Sequence, residues 1–189
     1  MTRPVPIGRH VVIYGPSGSG KTTLGRQLGD KLALPVLQLD AVFHAHPNWV
    51  DLSREEFRDQ VSAYLAAQPE GWVIEGNYSM VRDLILPHAQ TAIWLKLPWR
   101  TVYPRLAWRT ISRAVLHAEL FNGNRETLKQ TFLTKDSMLW WGVHAWNKHH
   151  ANVGETLSDP AVTARIYRLR TPGQVRYLLE NSTLALPTE

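Results

Sequence analysis

The sequence predicts a three-layer α/β fold built on a mainly parallel sheet. Two observations predict it. Short apolar runs alternate with segments of helical periodicity along most of the chain, which implies βαβ units with helices on both faces of a sheet. A glycine-rich loop stands between the first apolar run and the first helical segment, the setting of a phosphate-binding strand–loop–helix unit. No internal repeat or low-complexity tract breaks the order.

The elements follow in sequence. His10–Tyr14 (HVVIY) reads as the first strand. Thr22–Leu32 reads as a helix, with Leu24, Leu28 and Leu32 recurring every four residues. Pro35–Leu39 (PVLQL), ending at Asp40, reads as the second strand. Ser53 with Glu56 three residues later is a capping box, and Phe57, Val61, Tyr64 and Leu65 supply an apolar face to the helix it opens. Trp72–Ile74, ending at Glu75-Gly76, is the third strand, and Thr91–Leu97 is the fourth. Residues 99–150 read as helices without an intervening strand, room for a helical lid over a site. Val162–Leu169 is the last strand, and Pro172 opens a final helix through Leu179.

Composition narrows the class. The chain has 189 residues, enough for one compact domain, 1–189, with a sizeable core. Hydrophobic residues make up 44%, which excludes a disordered chain. With no cysteine, disulfides, thiolate metal sites and cysteine nucleophiles are excluded, and a reducing cytosol suits the chain. No apolar run approaches the ~20 residues that span a bilayer, and the amino end lacks a signal-peptide core. A cytoplasmic location without membrane association is the expectation. The formal charge is +5, from 21 Lys and Arg against 16 Asp and Glu, which suits either a nucleic-acid binder or an enzyme that gathers arginines around phosphates.

Gly15-Pro16-Ser17-Gly18-Ser19-Gly20-Lys21-Thr22 fits G-x-x-x-x-G-K-S/T, the P-loop, and Thr23 follows it into the helix. The glycines let successive N–H groups point inward, where they and the helix N-terminus hold a polyphosphate. Lys21 is expected to reach the β- and γ-phosphates, and the Thr22 hydroxyl to ligate Mg²⁺. ATP and Mg²⁺ are therefore the expected cofactors. In open α/β sheets ligands bind beyond the carboxyl ends of the strands, which ranks Asp40 and Glu75 beside the loop.

A carboxylate at Asp40 can orient an acceptor hydroxyl, act as base, or hold Mg²⁺ through water. Asp also commonly ends strands as a turn residue. Glu75 can hold a metal-bound water or contact the acceptor, and Gly76, Asn77 and Tyr78 follow it into the same cleft. Phe43, His44, His46 and Trp49 form an aromatic cluster able to stack on a planar base. A transition-metal site there lacks further ligands at a suitable spacing. Arg105, Arg109 and Arg113 recur every four residues, with Tyr103, Ala107, Ile111 and Ala114 expected on the opposite, packed side. Such a stripe is either a solvated face or a cleft-facing row, and arginine forks suit phosphate oxygens. Arg82 and Arg125 are further candidates for the acceptor side. Trp140, Trp141 and Trp146 read as packing of the cap or as a base-stacking surface, and His144, His149 and His150 as lining a solvated helix end.

These motifs, in this order, resemble the small P-loop kinases built like adenylate and shikimate kinase. Within them the chain is most similar to the group of DNA-topology-modulation proteins. The residues that carry the resemblance are Gly15–Thr23, Leu39-Asp40-Ala41-Val42-Phe43 with Trp49, Glu75-Gly76-Asn77-Tyr78, Trp94-Leu95-Lys96-Leu97-Pro98 and Asn122-Gly123-Asn124-Arg125-Glu126. The resemblance implies a P-loop NTPase fold with a five-stranded parallel sheet of order 2-3-1-4-5 and a helical lid, 114–158. It implies lid arginines, Arg105, Arg109 and Arg113, around the phosphates. It also places adenine at the turn Arg170-Thr171-Pro172-Gly173. Many relatives carry Asp at the position of Glu75. The Asp-Gly-Phe-Pro-Arg stretch of adenylate kinases is absent, so the implied acceptor differs from AMP. The function implied is a Mg-ATP phosphotransferase acting on a small-molecule acceptor such as a nucleoside or nucleotide, as monomer or homodimer. The alternative is a nucleotide-dependent protein that binds nucleic acid through the arginines and tryptophans, with little kinase activity; a component of a two-protein system is a third possibility that no residue tests.

Overall fold

The structure is a computed structural model that describes residues 3–46, 51–116 and 146–185, with side chains in the first helix of the cap described as far as residue 112. In chain order the main elements are β1 (Val5–Ile7), β2 (His10–Tyr14), α1 (Lys21–Leu32), β3 (Val36–Gln38), α2 (Leu39–Phe43), α3 (Arg54–Ala67) and β4 (Trp72–Glu75). They continue as α4 (Arg82–Ile85), β5 (Thr91–Leu95), α5 (Trp99–Leu116), α6 (Trp146–Thr156), β6 (Arg165–Leu169), α7 (Pro172–Asn181) and β7 (Ser182–Leu184).

Five strands form one parallel sheet in the order β3-β4-β2-β5-β6. Counted along the five strands read from the sequence, this is 2-3-1-4-5, as expected. Strand β2 is central because its side chains are apolar on both faces. Val11 and Ile13 point into a core with Leu24 and Leu28 of α1 and Leu178 of α7. Val12 and Tyr14 point into the opposite core with Phe57, Val61, Trp94 and Val153. Each fully buried Leu or Phe in these layers contributes on the order of 1.5–3 kcal/mol. The capping box of α3 is formed: Glu56 N donates to Ser53 Oγ (3.2 Å), and Ser53 N donates to Glu56 Oε2 (2.9 Å).

Three readings change at the element boundaries. Strand β3 ends at Gln38, and Leu39 and Asp40 already lie in α2, because Leu39 is drawn into the core at 2% exposure and turns the chain there. Strand β5 stops at Leu95, three residues before Pro98, and β6 starts only at Arg165. A second sheet was not expected: β1 pairs in parallel with β7. Its strands are three residues long and β1 contains Pro6, so neither offers a readable alternation. The apolar face of α5 is Val102, Leu106 and Thr110, all under 4% exposed, rather than the Tyr103–Ile111 line; Ile111 is 37% exposed. Helix α5 packs on the P-loop at Gly18, and that contact draws in the neighbouring face.

Candidate active site

The P-loop connects β2 to α1 and curls over the helix N-terminus. Its first turn closes with Ser19 N donating to Pro16 O (3.1 Å). Gly18 has φ +83°, and a Cβ there would lie 2.9 Å from Leu106 Cβ, so the conformation and the contact with α5 both require glycine. Lys21 is 8% exposed, with Nζ 3.5 Å from the Pro16 carbonyl. Burial lowers its pKa; the carboxylates of Glu75 and Asp40 act the other way, and the Arg109 charge adds to the lowering. Those interactions place Asp40, Glu75 and Arg109 around one ammonium. Thr23 is exposed at the start of α1, and Ser17 is half-buried in the loop.

Glu75 ends β4 and is 1% exposed. The Thr22 hydroxyl donates to its Oε1 at 2.8 Å, and its Oε2 is buried without a hydrogen-bond partner. Burial raises the Glu75 pKa, against the opposing pull of Lys21 and the Thr22 hydrogen bond. The next residue, Gly76, has φ +146°, and a Cβ there would sit 2.8 Å from Leu39 Cβ. Glycine therefore lets α2 approach the end of β4 and brings Asp40 beside Glu75.

Asn77 grips the loop from below. Gly15 N donates to Asn77 Oδ1 (3.1 Å), and Asn77 Nδ2 donates to Gly15 O (2.6 Å). Both ends of its amide are used on the P-loop backbone, so it braces the cradle instead of facing an acceptor. Burial of Tyr78, then the nearby Asp40 carboxylate, raises its pKa, which keeps the phenol protonated.

The aromatic cluster is arranged differently from the expectation of an open stacking platform. The Phe43 ring packs at 5.2 Å on Phe57 and 5.0 Å on Tyr78, inside the hydrophobic layer. His44 Nδ1 pairs with Asp51 Oδ1 at 2.6 Å. His46 is exposed. Trp49, Arg125, His144, Trp140 and Trp141 lie outside the described residues, as does the side chain of Arg113. Arg105 is exposed, whereas Arg109 is half-buried and acts on Lys21 and Glu75. Arg170 is exposed at the turn before α7; its backbone N–H donates to Gln174 Oε1 (2.7 Å). Among the described residues no cluster of three His, Asp or Glu side chains could hold a metal alone.

Arg82 is engaged by the protein. Its Nη1 donates to Asn152 Oδ1 (2.8 Å) and to Thr156 Oγ1 of α6. Its guanidinium carbon lies 5.9 Å from the Tyr14 ring centroid. Sequence reasoning missed one neighbour of the site. His149, expected on a solvated helix end, is half-buried on α6, and its ring interacts electrostatically with Lys21 and Arg82. Burial, then the charges of Lys21, His150 and Arg82, lower its pKa to about 4. His150 is likewise half-buried, packing on Trp146 (4.5 Å) and Trp94 (5.9 Å). Trp146 also meets Trp99, which joins the starts of α5 and α6. No local spacing marks His149, because its neighbours are 67 and more residues away in the chain.

Two solved structures share this architecture. A sugar kinase from Janibacter sp. HTCC2649 superposes with a TM-score of 0.53 at 20% identity, over 92% of this chain and 91% of its own. Shikimate kinase from Bacteroides thetaiotaomicron superposes with a TM-score of 0.52 at 16% identity, over 90% and 93%. At such identities the likeness is one of fold. Threonine synthase-like 1 of Mus musculus is 29% identical over 119 residues, 57% of this chain; the match spans only 16% of that protein. The family model of shikimate kinase matches residues 17–138, which begin inside the P-loop and run through α5. Because that match takes in well over half of the chain, and the sheet carries the strand order of the small P-loop kinases, the chain belongs to the shikimate kinase family.

Proposed function

We propose that this protein transfers the γ-phosphate of Mg-ATP to a hydroxyl group of a small molecule. The observation that carries the reading is the convergence of Lys21, Asp40, Glu75 and Arg109 at the mouth of the P-loop. Phosphoryl transfer needs a phosphate cradle, an oriented acceptor and cations near the equatorial oxygens. The P-loop N–H groups and Lys21 hold the β- and γ-phosphates. Asp40, beside Tyr78, orients the acceptor hydroxyl and takes its proton as the oxygen attacks phosphorus. The bond from phosphorus to the β-phosphate oxygen breaks, and ADP leaves. Arg109 offsets the charge that spreads over the γ-phosphate oxygens.

The residues present fit Mg²⁺. The Thr22 hydroxyl supplies a direct ligand, and the buried, unpartnered Oε2 of Glu75 suits a metal-bound water. Mg²⁺ supplies charge neutralisation between the β- and γ-phosphates when bound. In this reading adenine lies at the Arg170–Gly173 turn and the cap from 114 to 158 covers the acceptor, with Arg105 and Arg113 on α5, the helix that leads into it. The acceptor candidates are shikimate, sugars, nucleosides and nucleotides. In a panel of these with Mg-ATP, one member is expected to be phosphorylated, with Lys21→Ala turning over at least ~10²-fold more slowly. Turnover by Lys21→Ala equal to that of wild type would contradict the proposal.

One observation favours a second reading, nucleotide-dependent binding to nucleic acid. On α5, Trp108 is 74% exposed, one turn from exposed Arg105. Affinity for duplex DNA would then fall with salt at a log–log slope of about −0.9 per phosphate contacted. A flat response removes it.

A further inference from the structure

Arg82 opens α4, the short helix after β4. The helix is anchored from outside the site: Arg58 of α3 forks onto Asp83, with both contacts at 2.7 Å. From that fixed base the Arg82 side chain reaches two elements. On one side its guanidinium lies over the Tyr14 ring, 5.9 Å from the centroid, and its charge acts on the Tyr14 hydroxyl. Tyr14 is 3% exposed and directly precedes Gly15, the first residue of the P-loop. On the other side it donates to Asn152 and Thr156, one turn apart on α6. Thr156 Oγ1 also donates back to Asn152 O (2.8 Å), which fixes the local face.

Packing alone would hold α6. Val153 is 1% exposed, and Gly154 sits close enough to Trp94 that an added Cβ would lie 3.4 Å from its ring. Replacing a buried charged or polar link with apolar side chains commonly costs little stability, whereas the link specifies register. The register matters here because His149, one turn before Asn152, is the α6 residue that interacts with Lys21. Its Nε2 is buried with no hydrogen-bond partner.

We propose that Arg82 is a positioning residue that locks α6 to the root of the P-loop and thereby sets where the His149 ring stands relative to Lys21. This rests on the phosphotransfer reading and extends it. The guanidinium is needed because its planar head bonds Asn152 and Thr156 through Nη1 while its face lies over the Tyr14 ring, which an ammonium does not do. The link makes α6 and the phosphate loop one unit, so a nucleotide on the loop is sensed at His149.

The test uses the full chain labelled with [¹³Cε1]histidine, the His149 resonance being assigned with His149→Gln. Mg-ADP is titrated into wild type, Arg82→Gln and Arg82→Lys. Wild type is expected to bind and to shift the His149 resonance. Both variants are expected to bind Mg-ADP within about threefold of wild type, to lose the shift, and to lose tenfold or more in turnover on the identified acceptor, as a slight misplacement does. Asn152→Ala with Thr156→Val cuts only the α6 side and is expected to act alike, which covers the case of an unfolded Arg82 variant. An unchanged His149 shift and unchanged turnover in folded variants would overturn this inference alone. Wild type that ignores Mg-ADP would overturn the nucleotide reading, and this inference with it.

Discussion

The phosphate side and the acceptor side of this cleft are built by different means. On the proposed phosphate side the cradle is made of main chain, and nearby groups fix it redundantly. Asn77 holds Gly15 at both its N–H and its carbonyl, Thr22 is tied to Glu75, and Gly18 is pressed against Leu106. On the proposed acceptor side, α4 and α6 are joined by contacts far apart in sequence, from Arg82 to Asn152 and Thr156. Arg82 and Asn152 are 70 residues apart in the chain. The comparison teaches that the cradle is specified by spacing within a few residues, while the acceptor pocket is specified by how helices dock. A family can therefore retain the first and vary the second.

The largest effect should come from Lys21→Ala, as proposed above. Next, Asn77→Ala would free the Gly15 N–H and carbonyl at the root of the cradle. Leaving buried backbone groups unpaired costs about 1–3 kcal/mol. A thermal melt is expected to show that loss, with Mg-ADP affinity falling about tenfold. An unchanged affinity would mean that the cradle does not depend on its brace, and that the contrast between the two sides is weaker than drawn.

This contrast also governs what the sequence made legible. The P-loop, the sheet order and the helix caps each rest on local chemistry, such as the Ser53–Glu56 pair, and all are found. Asp40 and Glu75 rank as candidates by the rule that sites lie at strand ends, and both carboxylates act electrostatically on Lys21. The misreadings lie where tertiary contacts decide. Phe43 was read as a stacking platform, yet its ring is taken by Phe57 and Tyr78. Arg82 was read as an acceptor ligand, yet it links Tyr14 to α6. His149 carried no signal, because a histidine one turn into a helix has the same spacing whether it meets solvent or Lys21.

Glu75→Gln sharpens the metal side of the account. The amide oxygen still accepts from Thr22, but the negative charge is lost. The Mg²⁺ concentration needed for half-maximal nucleotide binding is expected to rise about tenfold, as for other outer ligands. Affinity measured in EDTA should stay the same; a parallel loss without Mg²⁺ would assign Glu75 to loop structure alone.

The smallest effect concerns His149. Its folded pKa, about 4, lies below its ordinary value of 6.5. Between those values the unfolded chain binds the extra proton, so stability rises with pH across the window and is lost as pH falls from about 6.5 to about 4. The loss is roughly 1–3 kcal/mol, discounted for partial exposure. His149→Gln should flatten this part of the stability profile relative to wild type. Superimposable profiles would place the ring in solvent and detach α6 from the site.

The central claim is that the main-chain cradle and Lys21 grip a nucleoside polyphosphate. Isothermal titration of Mg-ATP into wild type and into folded Lys21→Ala tests it most directly. The account predicts saturable one-site binding to wild type and at least tenfold weaker binding to the variant, as loss of a charged hydrogen bond to phosphate implies. Equal heats and equal affinity in the two proteins, or no binding to either, would contradict it.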